Sequence, residues 1–273
     1  MVLKENYTLY NGNEIPKLAL GTWQLSEEEA AASVEAAVKM GYRHIDTAAA
    51  YGNERGVAQG IKKSGISRES LFITSKVPAE VKTYERAEEI IDASLKNLET
   101  DYIDLMLIHA PKPWSEMYAG GGKTYFEENL AVWKALEEAH HAGKLRAIGV
   151  SNFEISDLQN LLDHGEVKPM ANQIRVHVGH TPMEVIKYCQ ERDILIMAYS
   201  PNATGRLLNH PAVTEMAAKY KVSVSQLCIR YDLQLGTLPL PKTKHEEYML
   251  QNTKIDFEIS DTDMNTLLEV GEV

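Results

Sequence analysis

The sequence predicts an α/β protein that folds as a single (β/α)8 barrel. Short apolar runs of strand length alternate with longer helical patterns along the chain, and eight strands can be counted in this way. The length of 273 residues suits one large barrel domain, and no Pro- or Ser-rich linker divides it. Polar residues follow the ends of several predicted strands, which is where barrels carry their sites. We therefore expect residues 1–273 to form one domain.

The composition is that of an ordinary globular protein, with 44% hydrophobic and 25% charged residues. The formal net charge of -11 argues against nucleic acid or an acidic membrane surface as the main partner. No apolar run approaches membrane-spanning length, and residues 1–6 lack the features of a signal peptide. Cys189 and Cys228 do not make a disulfide framework, so we expect them to fill the core. Since nothing indicates an obligate interface, these features predict a cytoplasmic monomer with a small-molecule partner.

The chain opens with a predicted hairpin over residues 7–18. The pair Asn11-Gly12 accepts positive φ at low cost and stands between two short apolar segments. Residues 18–22 then continue as a buried strand, the first of the barrel. The other barrel strands are predicted at residues 44–47, 71–76, 102–109, 146–151, 170–174, 194–200 and 237–241.

Local chemistry marks the ends of the helices between these strands. Ser26 makes a capping box with Glu29, and Gly41 stands where the first helix should end. Thr181 is predicted to cap a later helix, with Pro182 at its first position. The other predicted helices cover residues 53–63, 86–98, 126–142, 157–163, 211–220, 225–233, 246–251 and an extra C-terminal helix at 261–269.

The most informative stretch is residues 41–55, which runs from a helix end through the second barrel strand into the following loop. Asp46 ends this strand, and Tyr51 lies on the loop that leaves it. A strand-end aspartate more often caps a helix or pairs with a surface cation, so this pair alone is a weak signal. Lys76 ends the third strand and His109 the fourth, and each alone has an ordinary structural explanation. All four residues nevertheless fall at the same rim of the predicted barrel.

Together these four side chains predict a proton-donating unit. A tyrosine has a pKa of about 10 and is a poor acid near neutrality. A nearby ammonium favours the phenolate, so we expect Lys76 to lower the pKa of Tyr51. Asp46 would keep Lys76 charged and oriented, and His109 would bind a substrate oxygen opposite the phenol.

With these residues in place, the sequence resembles the aldo-keto reductase superfamily over essentially its whole length. The long segment at 41–54, GYRHIDTAAAYGNE, is similar to the first motif of that family. Lys76 in ITSK and His109 in LIH match its other two catalytic positions. The resemblance implies that Tyr51 protonates a carbonyl while a nicotinamide cofactor delivers hydride. Asp46, Lys76 and His109 would take the supporting roles argued above.

The cofactor prediction also depends on an absence. A Rossmann-type dehydrogenase needs G-x-G-x-x-G after a strand, and this chain has none. The run at 120–124, GGGKT, ends like a phosphate loop, but Met117 stands where that motif needs glycine. The resemblance implies instead that Ser151 and Asn152 hold the nicotinamide carboxamide, with Gln173 placed after the sixth strand. The full set implied to contact the cofactor is Gly21, Thr22, Asp46, Ser151, Asn152, Gln173, Tyr199, Ser200, Lys242, Thr243, Tyr248, Gln251 and Asn252, with Tyr199 stacking on the ring.

The far end of the cofactor is expected at the last strand, where residues 240–244 open a helix. Backbone amides at a helix start favour anions, and two lysines here oppose the overall negative charge. The resemblance implies that Lys242 and Thr243 meet the adenosine 2′-phosphate, and that Gln251 and Asn252 meet the adenine. The alternative is that Lys242 and Lys244 are simply solvated.

One departure from the family pattern concerns cofactor choice. Many members carry an arginine beside the 2′-phosphate, and this chain has Tyr248 there. A tyrosine cannot make the bidentate charged contact that arginine makes. We therefore expect NADPH to be preferred by a smaller ratio than usual, with NADH accepted.

Other departures concern the substrate. Trp23 matches the aromatic wall beside the carbonyl, whereas Ala110 follows the catalytic histidine position and Trp114 arrives four residues later. The chain ends at Val273 soon after its last helix, so we expect an open pocket and broad selection, as in short bacterial reductases. The expected substrates are general aldehydes, dicarbonyls and keto-sugars such as 2,5-diketo-D-gluconate. His177 and His180 lack a third ligand nearby, so we expect them to face solvent or substrate and predict no metal.

Two other functions fit parts of this pattern. Lys76 on a barrel strand could form a Schiff base, although an anionic Asp46 beside it would keep the amine protonated. The second alternative is a nicotinamide-binding regulatory protein with little turnover, against which the intact set of four residues argues. The reductase therefore remains the main hypothesis.

Overall fold

The computed structural model describes residues 1–117 and 122–273. The glycine-rich run at 120–124, rejected above as a phosphate loop, lies partly outside the described residues. The strands are β1 (Asn6–Thr8), β2 (Glu14–Pro16), β3 (Leu20–Gly21), β4 (His44–Asp46), β5 (Phe72–Val77), β6 (Leu105–Ile108), β7 (Ile148–Ser151), β8 (Ala171–Arg175), β9 (Leu195–Tyr199) and β10 (Leu238–Leu240). The helices are α1 (Glu27–Met40), α2 (Glu54–Ser64), α3 (Tyr84–Asn97), α4 (Trp114–Met117), α5 (Phe126–His141), α6 (Ile155–His164), α7 (Met183–Gln190), α8 (Pro211–Tyr220), α9 (Val224–Gln234), α10 (Glu246–Asn252) and α11 (Asp261–Leu268).

The eight strands β3 to β10 pair in parallel in chain order. The two edges of this sheet approach each other, because the Gly21 amide donates to the Pro241 carbonyl at 3.0 Å and Gly21 forms a parallel bridge with Lys242. The predicted (β/α)8 barrel is therefore confirmed.

The predicted hairpin at 7–18 is present as β1–β2, and it covers the amino-terminal end of the barrel. The Tyr7 hydroxyl donates to the Thr237 carbonyl at 3.2 Å, and the Asn13 amide donates to the Arg146 carbonyl at 2.8 Å. Ile15 is fully buried against the interior side chains of the strands. Since this end is covered, the carboxyl ends of the strands remain for a site.

The helix ends follow local chemistry at some positions and tertiary contacts at others. Ser26 and Glu29 form the predicted capping box of α1, and Gly41 ends that helix in the left-handed conformation. The predicted Thr181 cap is wrong, because α7 begins at Met183 and no side chain caps it. The Thr181 hydroxyl instead donates to a carbonyl of its own turn and pairs with the Tyr231 hydroxyl of α9 at 2.7 Å.

Most predicted bounds differ from the observed ones by only a few residues. The strand predicted at 102–109 covers only Leu105–Ile108, because Ile103 makes an isolated bridge with Leu145 instead of joining it. The short helix α4 was not predicted, and neither were 3-10 turns such as Ala49–Tyr51.

Cys189 and Cys228 are buried and unbridged, as expected of core residues. Within the described ranges, no helix has the length and apolar character needed to cross a membrane.

Candidate active site

Lys76 lies in β5, one residue before its end, and its side chain is completely buried. Its ammonium donates to Asp46 Oδ1 at 2.8 Å, to the Thr47 carbonyl at 2.7 Å and to the Tyr51 hydroxyl at 3.3 Å. The ammonium therefore joins the end of β4 to the turn that carries the tyrosine. Three of the four side chains predicted to act together are in direct contact.

The surroundings of Lys76 keep it charged. Burial alone would lower the pKa of this amine, but the Asp46 carboxylate and the Tyr51 phenol, through charge and hydrogen bonds, raise the pKa above its ordinary value. A Schiff-base role needs a neutral amine. The geometry thus argues against Lys76 as a nucleophile and in favour of an electrostatic role.

Tyr51 ends the 3-10 turn at Ala49–Tyr51, beyond β4. Burial raises the pKa of its phenol, Lys76 lowers it and Asp46 raises it, with a net rise. Lys76 lowers the pKa of Tyr51, as predicted, but burial raises it by more, so the pKa of the phenol lies above its ordinary value. The phenol therefore keeps its proton throughout the neutral range and has one to give.

His109 follows β6 directly, and its ring faces Tyr51 with centroids 5.6 Å apart. Burial, aided by the charge of Lys76, lowers the pKa of His109 to about 3. The imidazole is therefore neutral near pH 7 and keeps one N–H donor. Its Nδ1 atom is buried and has no hydrogen-bond partner among the described residues.

Gln173 connects this group to the residues expected at the carboxamide. Its amide donates to Asp46 Oδ2 at 2.7 Å, so both carboxylate oxygens of Asp46 are bound within the site. The prediction placed Gln173 after its strand, which is wrong, because β8 continues to Arg175 and Gln173 lies within it. Its side chain is consequently buried at the rim.

Ser151, Asn152 and Tyr199 form a connected polar group beside Gln173. The Tyr199 hydroxyl donates to Asn152 Oδ1 at 2.8 Å, and the Asn152 amide donates to the Ser151 hydroxyl at 3.0 Å. The Ser151 hydroxyl in turn donates to the Gln173 carbonyl at 2.8 Å. The structure therefore brings together four of the residues predicted to contact a nicotinamide.

Gly21 and Thr22 lie at the junction of β3 with its neighbours. The amide and the hydroxyl of Thr22 both donate to the Asp46 carbonyl, at 3.0 and 3.1 Å, and Thr22 is fully buried. The Thr22 carbonyl accepts a hydrogen bond from the Asn53 amide at 2.9 Å. Sequence reasoning missed this supporting role of Asn53, although the residue belongs to the motif at 41–54.

The residues predicted for the phosphate and adenine lie around the start of α10. Lys242 is exposed, whereas Lys244 pairs with Glu29 at 2.7 Å. Tyr248 is 53% exposed, and its ring packs edge-on against the ring of His245, the residue just before α10. Of the other residues predicted to contact the cofactor, Thr243 and Gln251 are half-buried and Asn252 is buried. Ser200, in the loop after β9, has a left-handed φ of 57°.

One of the two predicted substrate tryptophans, Trp114, contacts the catalytic group. Trp23 is 46% exposed, and Trp114 packs edge-on against His109 with ring centroids 5.3 Å apart. Of the two histidines predicted to face solvent or substrate, His177 is 1% exposed and so does not face solvent, whereas His180 is half-buried. No group of three or more metal-binding side chains occurs in the described ranges.

The fold and this site define a barrel enzyme that performs acid–base chemistry at the carboxyl ends of its strands. The family model named Aldo/keto reductase family matches residues 17–272. The chain therefore belongs to the aldo/keto reductase family, and it is an NAD(P)H-dependent oxidoreductase that acts on carbonyl compounds. The resemblance stated from the sequence is confirmed.

Relatives and solved structures agree with this assignment. The chain is 43% identical to a glyoxal reductase of Bacillus subtilis over 267 residues, which cover 97% of this chain and 92% of that protein. It is 37% identical to the 9,11-endoperoxide prostaglandin H2 reductase of Trypanosoma cruzi, covering 97% and 91%. An aldo/keto reductase from Brucella melitensis superposes with a TM-score of 0.88 at 36% identity, covering 97% and 99%. An aldo-keto reductase from Bombyx mori in complex with NADP superposes with a TM-score of 0.87 at 31% identity, covering 98% and 93%.

Proposed function

We propose that this protein uses NADPH to reduce small aldehydes, dicarbonyls and keto-sugars to alcohols, with Tyr51 as the proton donor. The observation that carries the proposal is the buried Lys76 ammonium, which contacts both Asp46 and Tyr51 at the rim of the barrel. The relative named glyoxal reductase and the NADP complex of a structural neighbour support the substrate class and the cofactor.

The polar group beside the tyrosine suits a nicotinamide carboxamide. Ser151, Asn152 and Gln173 offer hydroxyl and amide groups, which can both donate and accept. Tyr199, at the end of β9, donates to Asn152 across the end of β8 and presents a ring at the same rim. When bound there, the nicotinamide would supply the hydride. The other predicted cofactor residues, Gly21, Thr22, Asp46, Ser200, Lys242, Thr243, Tyr248, Gln251 and Asn252, belong to this proposal.

The protein side of the reaction is a proton transfer from Tyr51 to the carbonyl oxygen. Lys76 stabilises the phenolate that forms, because its ammonium already lies within hydrogen-bond distance of the hydroxyl. Asp46 balances the buried ammonium and keeps it in place. The neutral His109 donates its one N–H to the same carbonyl oxygen and fixes its position opposite the phenol.

The substrate side is apolar and open, which favours broad selection. Trp114 supplies aromatic surface beside His109, and Trp23, which is 46% exposed, is proposed as the second aromatic wall. We include 2,5-diketo-D-gluconate among the candidate keto-sugars on this basis. We also propose that the barrel works as one domain and one chain, and that Tyr248 permits some use of NADH.

Comparison of wild type with Tyr51→Phe tests the proposal, through loss of cofactor absorbance with a panel of aldehydes, dicarbonyls and keto-sugars. We expect turnover to fall by at least about a thousandfold in the variant, because the ring remains but the donor is lost. NADPH binding, followed by quenching of protein fluorescence, should be retained. Turnover that survives in the variant would show that the proton comes from another group.

A further inference from the structure

The short segment that joins His109 to Trp114 is held by hydrogen bonds from side chains of distant parts of the chain. Its first three carbonyls, those of His109, Ala110 and Pro111, each accept a hydrogen bond from a side chain of a different element. We name these three residues the 109–111 turn. Pro111 has no N–H to donate, so the turn cannot be held by the regular backbone pattern alone.

Each support comes from a distant part of the chain. The Asn152 amide donates to the His109 carbonyl at 3.0 Å, and the Asn129 amide of α5 donates to the Pro111 carbonyl at 3.0 Å. Between them, Lys82 from the loop after β5 donates to the Ala110 carbonyl at 3.1 Å. The Lys82 ammonium also donates to Asn129 Oδ1 at 2.9 Å, which closes a ring of contacts around the turn.

The chemistry of Lys82 differs from that of a surface lysine. Ala110 and Asn129 are buried, and Lys82 itself is half-buried between them. Burial lowers the pKa of Lys82 to about 8, while Glu80, Glu128 and Asp157 oppose that change. The amine is therefore still charged near neutral pH, and its hydrogen bonds to the turn are charge-assisted.

We propose that Lys82 is a positioning residue, which places His109 and Trp114 against the substrate by holding the carbonyl between them. This inference rests on the proposed function, since it assigns the turn to the substrate side of that same site. His109 would be displaced least by loss of Lys82, because its own carbonyl is held by Asn152. Trp114 lies farther from that anchor, so contacts with larger substrates depend most on Lys82.

Kinetics of the full-length holoenzyme test this assignment with Lys82→Met, Lys82→Arg and the exposed control Lys62→Met on α2. For Lys82→Met we expect KM for para-nitrobenzaldehyde to rise about tenfold and kcat to change less than about threefold. KM for glyoxal, which has no ring to pack against Trp114, should rise about twofold at most, and the dissociation constant of NADPH should stay unchanged. Lys82→Arg should recover most of the loss, because it keeps a charged donor, and Lys62→Met should match wild type.

The outcomes separate this inference from the proposed function. Unchanged KM for the aromatic aldehyde in Lys82→Met overturns the inference alone, and so does an equal loss for both aldehydes together with weaker NADPH binding. Absence of turnover by the wild type with both aldehydes overturns the proposed function and the inference with it. If Lys82→Met does not fold, as judged by circular dichroism, Lys82→Gln replaces it, with the same expected difference between the two aldehydes.

Discussion

Asp232 is a fully buried carboxyl group in α9, and neither of its oxygens has a hydrogen-bond partner among the described residues. Burial raises the pKa of Asp232 well above its ordinary value. The charge of Asp232 acts on two neighbours in the same helix, Cys228 and Tyr231, and burial, aided by Asp232, raises the pKa of both. Asp232 is therefore protonated in the folded protein near neutral pH, and it lies outside the catalytic group.

This carboxyl makes the stability depend on pH in a definite direction. The folded chain holds a proton that the unfolded chain releases above about pH 4, so the free energy of unfolding falls as pH rises toward the folded pKa. Asp232→Asn removes that dependence. We expect its Tm to exceed that of wild type by about 5 °C near pH 8 and to approach it near pH 5, measured by calorimetry.

The exposed control Asp101→Asn should follow wild type at both pH values. A Tm difference between Asp232→Asn and wild type that stays constant from about pH 5 to pH 8 would show that Asp232 binds protons equally in the folded and unfolded chains, so that folding does not raise its pKa.

Tyr248 decides how strongly the proposed site distinguishes NADPH from NADH. Its ring is half exposed and packs edge-on against His245, so an arginine can be accommodated there. We expect Tyr248→Arg to raise the ratio of kcat/KM for NADPH to that for NADH by about 10- to 100-fold, because the guanidinium adds a bidentate contact to the 2′-phosphate. Steady-state kinetics with both cofactors provide the measurement.

Tyr248→Phe, which adds no charge, should leave this ratio near that of wild type. A wild-type ratio above about a thousandfold, equivalent to roughly 4 kcal/mol, would contradict the weak preference proposed for this chain.

At the scale of elements, α1 and α2 pack very closely through two glycines of α2. A Cβ atom at Gly60 would lie 2.5 Å from the Ala31 carbonyl oxygen and 2.8 Å from Val34 Cβ, and one at Gly56 would lie 2.1 Å from the Glu27 carbonyl oxygen. The closest of these contacts are with backbone, which cannot move as a side chain can. Since α2 follows the turn that carries Tyr51, this packing also fixes the element behind the proposed acid.

Gly60→Ala tests this close approach. Alanine normally stabilises a helix interior by about 1 kcal/mol relative to glycine. Here we expect the opposite sign, a loss of about 1–3 kcal/mol in the free energy of unfolding, because the helices must separate. Urea denaturation gives the value, and the exposed Gln59→Ala on the same helix should change it by less than about 0.5 kcal/mol. A stabilised Gly60→Ala would show that the helices can adjust without cost.

At the scale of the whole molecule, the two ends of the barrel have different roles. The hairpin β1–β2 covers the amino-terminal end with apolar side chains and hydrogen bonds to barrel carbonyls. The carboxyl ends carry the polar residues, including the exposed Lys242 in a chain of net charge -11. Because covering one end leaves the other open, the position of the site follows from the chain order of hairpin and strands.

The sequence by itself determined the barrel and the residues at its rim. The signals that predicted it are local: the periods of strands and helices, the capping box at Ser26 and the motif at 41–54. The structure keeps them because each depends on residues close together in the sequence. The same locality explains the failure at Thr181, whose hydroxyl is taken by Tyr231, 50 residues away.

Only the tertiary structure decided the state of the groups that act. The net pKa of Tyr51 depends on burial, which no spacing of residues reveals. Gln173 reaches Asp46 across 127 residues of sequence, and Lys82 reaches Asn129 across 47. Protonation and position are properties of distances and solvent exclusion, and both arise only when distant segments are packed together.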